Sequence, residues 1–291
     1  MSNHVKGNSN EDLRNRVGLA ASRTAVYIVL IFITLICLIP IWLMLVNATK
    51  TTSEIQQGIS MIPSGNLINN YNILRNKGLN IPQGLLNSFI VSGCTTVLSV
   101  YFSMMTAYAI QVYDFKIKEF LKGFVYFIVL MPTAVSIVGF YQYVAKLGLL
   151  NNYIPLILPA IAAAGSVFFA KQYLESAIIM DLIYTARIDG CSEFGIFHRI
   201  MMPLAKPGMF TLAIFAFIAS WNNFFTPTLL ITKIEMYTLP LLVSTLRGDT
   251  YRQELGAIYF GYAMSVFPVI VAYILMARQI VNGLALGSVK E

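Results

Sequence analysis

The sequence predicts an all-α integral membrane protein with six membrane-spanning helices, and three observations lead there. Of its 291 residues, 57% are hydrophobic and only 11% charged, against about 25% charged in a soluble domain; the mean hydropathy is +0.69. Charged residues are absent from six windows, 24–49, 78–113, 123–145, 147–170, 207–232 and 255–277. Each window holds the roughly 20 apolar residues needed to cross the hydrocarbon core. Finally, Lys and Arg gather in alternate connecting segments, as the positive-inside rule requires. Such a composition excludes a soluble enzyme, a disordered chain and a secreted disulfide scaffold. Cys37, Cys94 and Cys191 form no paired framework and no metal-ligand spacing.

Residues 1–23 read as a polar tail. The apolar run from Thr24 is too long for a signal-peptide core and no small-residue cleavage site closes it. It becomes helix 1 (24–47), leading to an outer segment, 48–84. The charge-free stretch 55–74 is rich in Gln, Gly, Ser, Asn and Pro and is rejected as a span. Helix 2 is placed near 85–113, helix 3 near 120–145, helix 4 near 155–173 and helix 5 at 208–232. Helix 6 follows at 254–280, so the membrane domain covers 24–282 and a tail 283–291 remains. Pro40, Pro132, Pro155, Pro159, Pro227 and Pro268 fall within or beside spans, where each interior proline removes a backbone hydrogen bond and favours a kink. Pro132 and Pro268 are read either as ordinary irregularities or as shaping a translocation path.

With the N-terminus inside, 13 of the 20 Lys and Arg residues face the cytoplasm: Lys6, Arg14, Arg16, Arg23, Lys116, Lys118, Lys122, Lys171, Arg187, Arg199, Lys206, Arg278 and Lys290. Both termini are therefore expected in the cytoplasm. The net charge of +7 follows from topology and lipid charge, not nucleic acid, since no groove-reading motif is present.

Much chemistry is missing. His4 and His198 are the two histidines, and both fall outside the spans. The sequence has no HExxH, Cys-x-x-Cys or Ser/His/Asp arrangement and no GxxxxGK[ST] phosphate loop, so the chain is not expected to hydrolyse ATP. No acidic residue lies at a span centre, as ion-coupled carriers often require. An internal inverted repeat, expected of many secondary transporters, is not evident. Energy must come from elsewhere.

The segment DLIYTARIDGCSEFGIFHRIMMPLAKPG (181–208) lies on the cytoplasmic side. Gly190 permits backbone angles that strain other residues, and Asp189 is expected to cap the following helix. Phe194, Phe197, Ile200 and Met201 fall on one helical face. Pro203 and Pro207 close the segment before the chain re-enters the membrane.

This segment resembles the EAA loop of permease subunits in binding-protein-dependent ABC importers. That pattern runs E-A-A, two residues, D-G, a small residue, then aromatics and Pro-x-x-x-Pro. Here Tyr184, Thr185 and Ala186 stand at the E-A-A positions, followed by Asp189-Gly190-Cys191, Phe194, Phe197, Pro203 and Pro207; Ile179 replaces the usual preceding proline. Asn87-Ser88, Thr106-Ala107-Tyr108-Ala109, Met131-Pro132, LGLLNN (147–152), Trp221-Asn222 and the tail motif GLALGSVKE extend the likeness to the carbohydrate-uptake, maltose-permease-like branch.

The resemblance implies a type I importer permease, with a second, different permease subunit (a heterodimer), two ATP-binding subunits and an extracytoplasmic solute-binding protein. ATP and Mg would belong to the partner ATPase, and this chain would bind no cofactor or metal. The EAA loop (about 179–207) would dock on the ATPase through Asp189, Gly190, Phe194 and Phe197, or else merely cap and pack locally. Tyr184 cannot make the ion pair of the family Glu; either Arg187 or Glu193 supplies a substitute contact, or docking depends less on charge. Trp221, Asn222 and Asn223, with Thr95, Ser136 and Gln142 as weaker candidates, either join helices or line a sugar path, Trp221 stacking on a pyranose ring. The expected function is import of a sugar or oligosaccharide through a bacterial cell membrane. The alternatives are another solute, such as a glycerophosphodiester or polyol, and a scaffold subunit without its own path.

Overall fold

The structure, a computed structural model, describes residues 4–248 and 254–288. Lys290 of the orientation argument, and the end of the tail, lie outside the described residues. Helices dominate, and no strand occurs among the described residues. The chain divides into two compact units: Met1–Tyr71 with Glu254–Phe260, and Asn72–Gln253 with Gly261–Glu291.

In the first unit α1 runs His4–Asn47, so the helix begins well before the expected residue 24. Its apolar part, Arg23–Asn47, has 25 residues and spans about 38 Å at 1.5 Å per residue. Residues 23–40 are all exposed, as suits an all-round apolar helix facing lipid. Beyond it the chain turns through α2 (Thr52–Gln56) and reaches α3 (Leu67–Asn76).

A polar knot holds this turn. Thr51 and Glu54 form a capping box, which satisfies two free amides reciprocally. Ser64 Oγ donates to Glu54 Oε1 at 2.9 Å and Asn66 Nδ2 to Oε2 at 3.3 Å. The Thr51 backbone N–H, then the hydroxyls of Ser64 and Thr51, hold the Glu54 carboxyl below its usual range. Buried Asn70 donates to the carbonyls of Ala48 and Lys50 at 2.8 and 2.9 Å. Gly256 must be glycine here, because a Cβ would stand 2.0 Å from the Lys50 carbonyl oxygen.

The second unit is organised around α4 (Ile81–Val112), whose 32 residues extend about 48 Å. Asn80 caps it, its side chain accepting from the Gln83 N–H, and Pro82 occupies the first turn where no amide is needed. The rest follows as α5 (Lys118–Leu130), α6 (Thr133–Lys146), α7 (Ile154–Ile157), α8 (Ala164–Ala177), α9 (Met180–Ile188), α10 (Glu193–Ile196), α11 (Met202–Leu204), α12 (Lys206–Trp221), α13 (Phe225–Leu230), α14 (Leu239–Ser244) and α15 (Leu255–Ser288). Helices α12 and α8 pack along α4. The core at one end of α4 comprises Met104, Ala107 and Tyr108 with Tyr173, Leu174, Ile196, Phe197, Met201 and Leu212.

Six continuous spans are not found among the described residues. Four segments among the described residues are long and apolar enough to cross by themselves: Arg23–Asn47, Ile81–Val112, Ile154–Ala177 and Leu255–Leu275. A fifth appears if Glu193–Leu204 and Lys206–Trp221, bent by 81°, count as one. The expected third helix is broken at Met131, whose backbone is extended (ψ 132°) before Pro132. The proline's Cδ pushes its predecessor out of the helical region, leaving halves of 13 and 14 residues.

The expected fifth helix also stops short, at Trp221. Pro227 offers no N–H to the carbonyl four residues earlier and its ring collides there, so the chain restarts as α13. Asn222 and Asn223 thus lie in a break, not in mid-helix. Asn223 Oδ1 accepts from the Thr226 N–H at 3.1 Å, a local bond that competes with helix continuation.

Candidate functional site

The segment singled out in the sequence folds as a helix–turn–helix. Helix α9 ends at Ile188 with Asp189 as its C-cap, and Gly190 follows with φ +78°. The Cys191 N–H donates to the Ala186 carbonyl at 3.0 Å and the Gly190 N–H to the Arg187 carbonyl at 3.1 Å. This is the paired bonding of a Schellman motif, with glycine in the left-handed position. Asp189 is consequently the C-cap of α9 and not the cap of α10. Ser192 takes that role, its Oγ accepting from the Gly195 N–H at 3.2 Å.

Beyond α10 the chain makes a π-helical turn over Phe197–Met201. A π-turn shifts the register, so the four apolar residues expected on one face divide. Phe197 and Met201 are each only 3% exposed, within the core, whereas Phe194 is 65% exposed. His198 bridges the levels: its Nδ1 lies 2.8 Å from the Phe194 carbonyl and its Nε2 3.2 Å from the Tyr101 hydroxyl. Pro203 and Pro207 sit in the first turns of α11 and α12, where proline is tolerated.

The expected loop residues therefore separate by role. Ala186 and Phe197 are buried in the unit's own core; Tyr184, Asp189, Gly190 and Phe194 are exposed. With Ile188, 86% exposed, Tyr184 and Phe194 leave apolar surface at the turn. An apolar cleft beside it is lined by Leu174, Ile178, Leu182, Ile183, Met201 and Leu204.

The charges of the turn face each other. Arg187 donates from Nε to Glu193 Oε1 at 2.7 Å and from Nη2 to Oε2 at 3.2 Å. The Tyr113 hydroxyl also donates to Oε2, at 2.5 Å. Arg187, then Tyr113, holds the Glu193 carboxyl below the usual carboxylate range. Burial, followed by the bond to Glu193, pushes the Tyr113 phenol upward. Neither Arg187 nor Glu193 is left unpaired to replace the family carboxylate at Tyr184.

The candidate path residues are less unified. Trp221 is 1% exposed; its indole N–H donates to the Ser265 carbonyl at 2.9 Å. Phe89 meets it edge-on at 4.9 Å and Phe217 stacks at 5.4 Å, so this conformation leaves no face for a sugar ring. Asn222 and Asn223 are exposed at the helix break beside exposed Phe224 and Phe225. Ser136 and Gln142 are exposed on α6, and the Thr95 hydroxyl is buried without a hydrogen-bond partner.

Sequence reasoning gave Asn87 and Ser88 no role. Asn87 Nδ2 donates to the carbonyls of Glu235 and Tyr237, both at 2.9 Å, and Ser88 Oγ accepts from the Leu239 N–H at 2.7 Å. Together they tie the 235–239 connection to α4. Asn151, with φ +56°, similarly accepts the Thr232 and Lys233 amides at 2.7 and 3.0 Å. An Asn within an otherwise apolar helix start was the available signal.

Residues 99–285 match the family described as binding-protein-dependent transport system inner membrane component. The chain is 33% identical to the arabinooligosaccharides transport system permease protein AraQ of Bacillus subtilis (strain 168), covering 96% of this chain and 99% of that protein. It is 29% identical to the sn-glycerol-3-phosphate transport system permease protein UgpE of Yersinia pestis bv. Antiqua (strain Antiqua), covering 89% and 94%. In fold it is similar to a chain of a bacterial ABC transporter involved in the import of the acidic polysaccharide alginate, with TM-score 0.76, 21% identity, and 88% and 95% of the chains covered.

Proposed function

This chain belongs to the family of binding-protein-dependent transport system inner membrane components, and from that premise we propose that it imports a sugar or oligosaccharide. Family membership makes it a multi-pass permease component and not an enzyme. A solute-binding protein and an ATPase complete such a system. The finer reading is one of two unlike permeases, with two ATPase subunits, ATP and Mg on the ATPase, and both termini in the cytoplasm.

The observation that carries the mechanism is the helix–turn–helix 180–196, with Ile188, Tyr184 and Phe194 exposed on a turn rigidified by the Gly190 motif. An ATPase groove that buries this surface gains hydrophobic stabilisation, and its closure then displaces the turn. The turn leads into α10 and, through the 81° bend, into α12. Helix α12 packs on α4, so movement of the turn reaches the membrane helices. Alternating access follows, with the solute delivered from outside.

A sugar is favoured by the Bacillus subtilis relative, whose name specifies arabinooligosaccharides. The UgpE relative supports a phosphorylated polyol as the second reading. The deciding experiment is ATP-dependent uptake in vesicles by the complex purified with its partners, offered arabinotriose or sn-glycerol-3-phosphate. Gly190→Pro should abolish uptake while membrane insertion persists, because proline cannot reach φ +78° and lacks the N–H given to Arg187. Solute conduction by the isolated chain without ATP would overturn the reading.

A further inference from the structure

We propose that Tyr113, Glu193 and Arg187 form a latch that positions the cytoplasmic turn against the end of α4, so that displacement of the turn is delivered into that helix. The inference rests on the importer reading above and adds to it the residues that carry the movement.

Three elements far apart in sequence meet at one carboxylate. Glu193 is the first residue of α10, Arg187 lies in the last turn of α9, and Tyr113 is the C-cap residue of α4. Both Glu193 oxygens are used, Oε1 by Arg187 and Oε2 by Arg187 and Tyr113. The Arg187 guanidinium also lies 5.6 Å from the centre of the Tyr113 ring, closing the triangle with a cation–π contact.

A lone exposed ion pair contributes little to stability. A two-pronged guanidinium–carboxylate contact, by contrast, fixes orientation, and here it fixes the angle between α9 and α10. The Tyr113 bond then attaches that assembly to α4. At the far end of the same helix, Asn87 and Ser88 hold the backbone of 235–239. A rigid helix between two such attachments transmits displacement from the turn to the opposite connection.

The test is made on the assembled importer in lipid nanodiscs, which leave both faces open to reagents, with Cys37, Cys94 and Cys191 replaced by serine and a single reporter, Lys233→Cys. Lys233 is exposed in the connection that leads to Glu235. The rate of labelling by a membrane-impermeant maleimide is measured with and without ATP plus vanadate. Tyr113→Phe, which removes only the hydroxyl, should retain the co-purifying ATPase yet reduce the ATP-dependent change in labelling rate about fivefold. Glu193→Gln keeps an acceptor for Tyr113 but loses the ion pair, and should fall between the two. An undiminished labelling change in Tyr113→Phe would overturn the latch. So would loss of the ATPase from that variant, which would make the contact one of assembly. A wild-type complex showing no ATP-dependent change would remove the importer reading itself, and the latch with it.

Discussion

Gly208 lies directly on the ring of Tyr173, so close that an added Cβ would stand 2.4 Å from the ring edge. This is where the first turn of α12 crosses α8. Glycine is required for contact here, since no positive φ is involved. Gly208→Ala should destabilise the protein by about 1–3 kcal/mol, the range for overpacking a filled site. Thermal unfolding in detergent measures the loss. Adding Tyr173→Ala should recover part of it by making room, a non-additivity expected of touching residues. Simple additivity would show that the crossing adjusts elsewhere.

Asn87 provides both bonds to the Glu235 and Tyr237 carbonyls, and the residue is nearly buried, at 3% exposure. Replacement by alanine leaves two acceptors unmatched, at about 1–3 kcal/mol for a buried unsatisfied group. The connection should then open locally before the helices do. Asn87→Ala is therefore expected to speed proteolysis within 233–248 severalfold at a temperature where α4 remains protected. Equal protection in variant and wild type would show that Ser88 holds the connection unaided.

These two sites mark the limit of what was legible in the sequence. The absence of charge revealed an all-helical membrane chain because lipid tolerates few charges, and Gly190 marked the turn between α9 and α10. Helix continuity was not legible. Charge-free windows are blind to the breaks that Pro132 and Pro227 impose, although both prolines were visible. The hidden face of Trp221 and the meeting of Tyr113 with Glu193 depend on contacts 44 and 80 residues apart, which no local pattern encodes. The π-turn at Phe197 likewise undid a face assigned by regular helical spacing.

The turn should loosen in acid. Glu193 has a carboxyl lowered in the folded state by Arg187 and Tyr113. Such a group adds stability above its unfolded pKa, about 4.3 for Glu, and that contribution fades as pH falls through the lower folded value. Both partners are partly solvent-exposed, so the expected effect on global stability is small and the local effect larger. Difference infrared spectroscopy against Glu193→Gln should place the Glu193 carboxylate band's disappearance below pH 4.3. At neutral pH the Gln variant should show faster amide hydrogen exchange in the turn than wild type at the same pH. A Glu193 titration at or above the ordinary Glu range would mean that the pair with Arg187 does not persist in solution.

Trp221 and Asn222 are neighbours with opposite surroundings, and substitution should separate their roles. The indole is enclosed by Phe89 and Phe217 and bonded to the Ser265 carbonyl, whereas Asn222 is exposed at the end of α12. Trp221→Phe keeps an aromatic ring but withdraws the donor, which should lower stability by about 0.5–1.5 kcal/mol, the net value of one hydrogen bond. The KM for uptake should remain unchanged. Asn222→Ala removes an amide that the fold leaves free at the helix break, so stability should stay within about 0.5 kcal/mol, as for a surface substitution. If the break faces the solute, KM should rise severalfold; parallel uptake curves in wild-type and variant vesicles provide the comparison. A raised KM in Trp221→Phe with unaltered stability would reverse the assignment, requiring the aromatic cluster to open during transport and present the indole to the sugar.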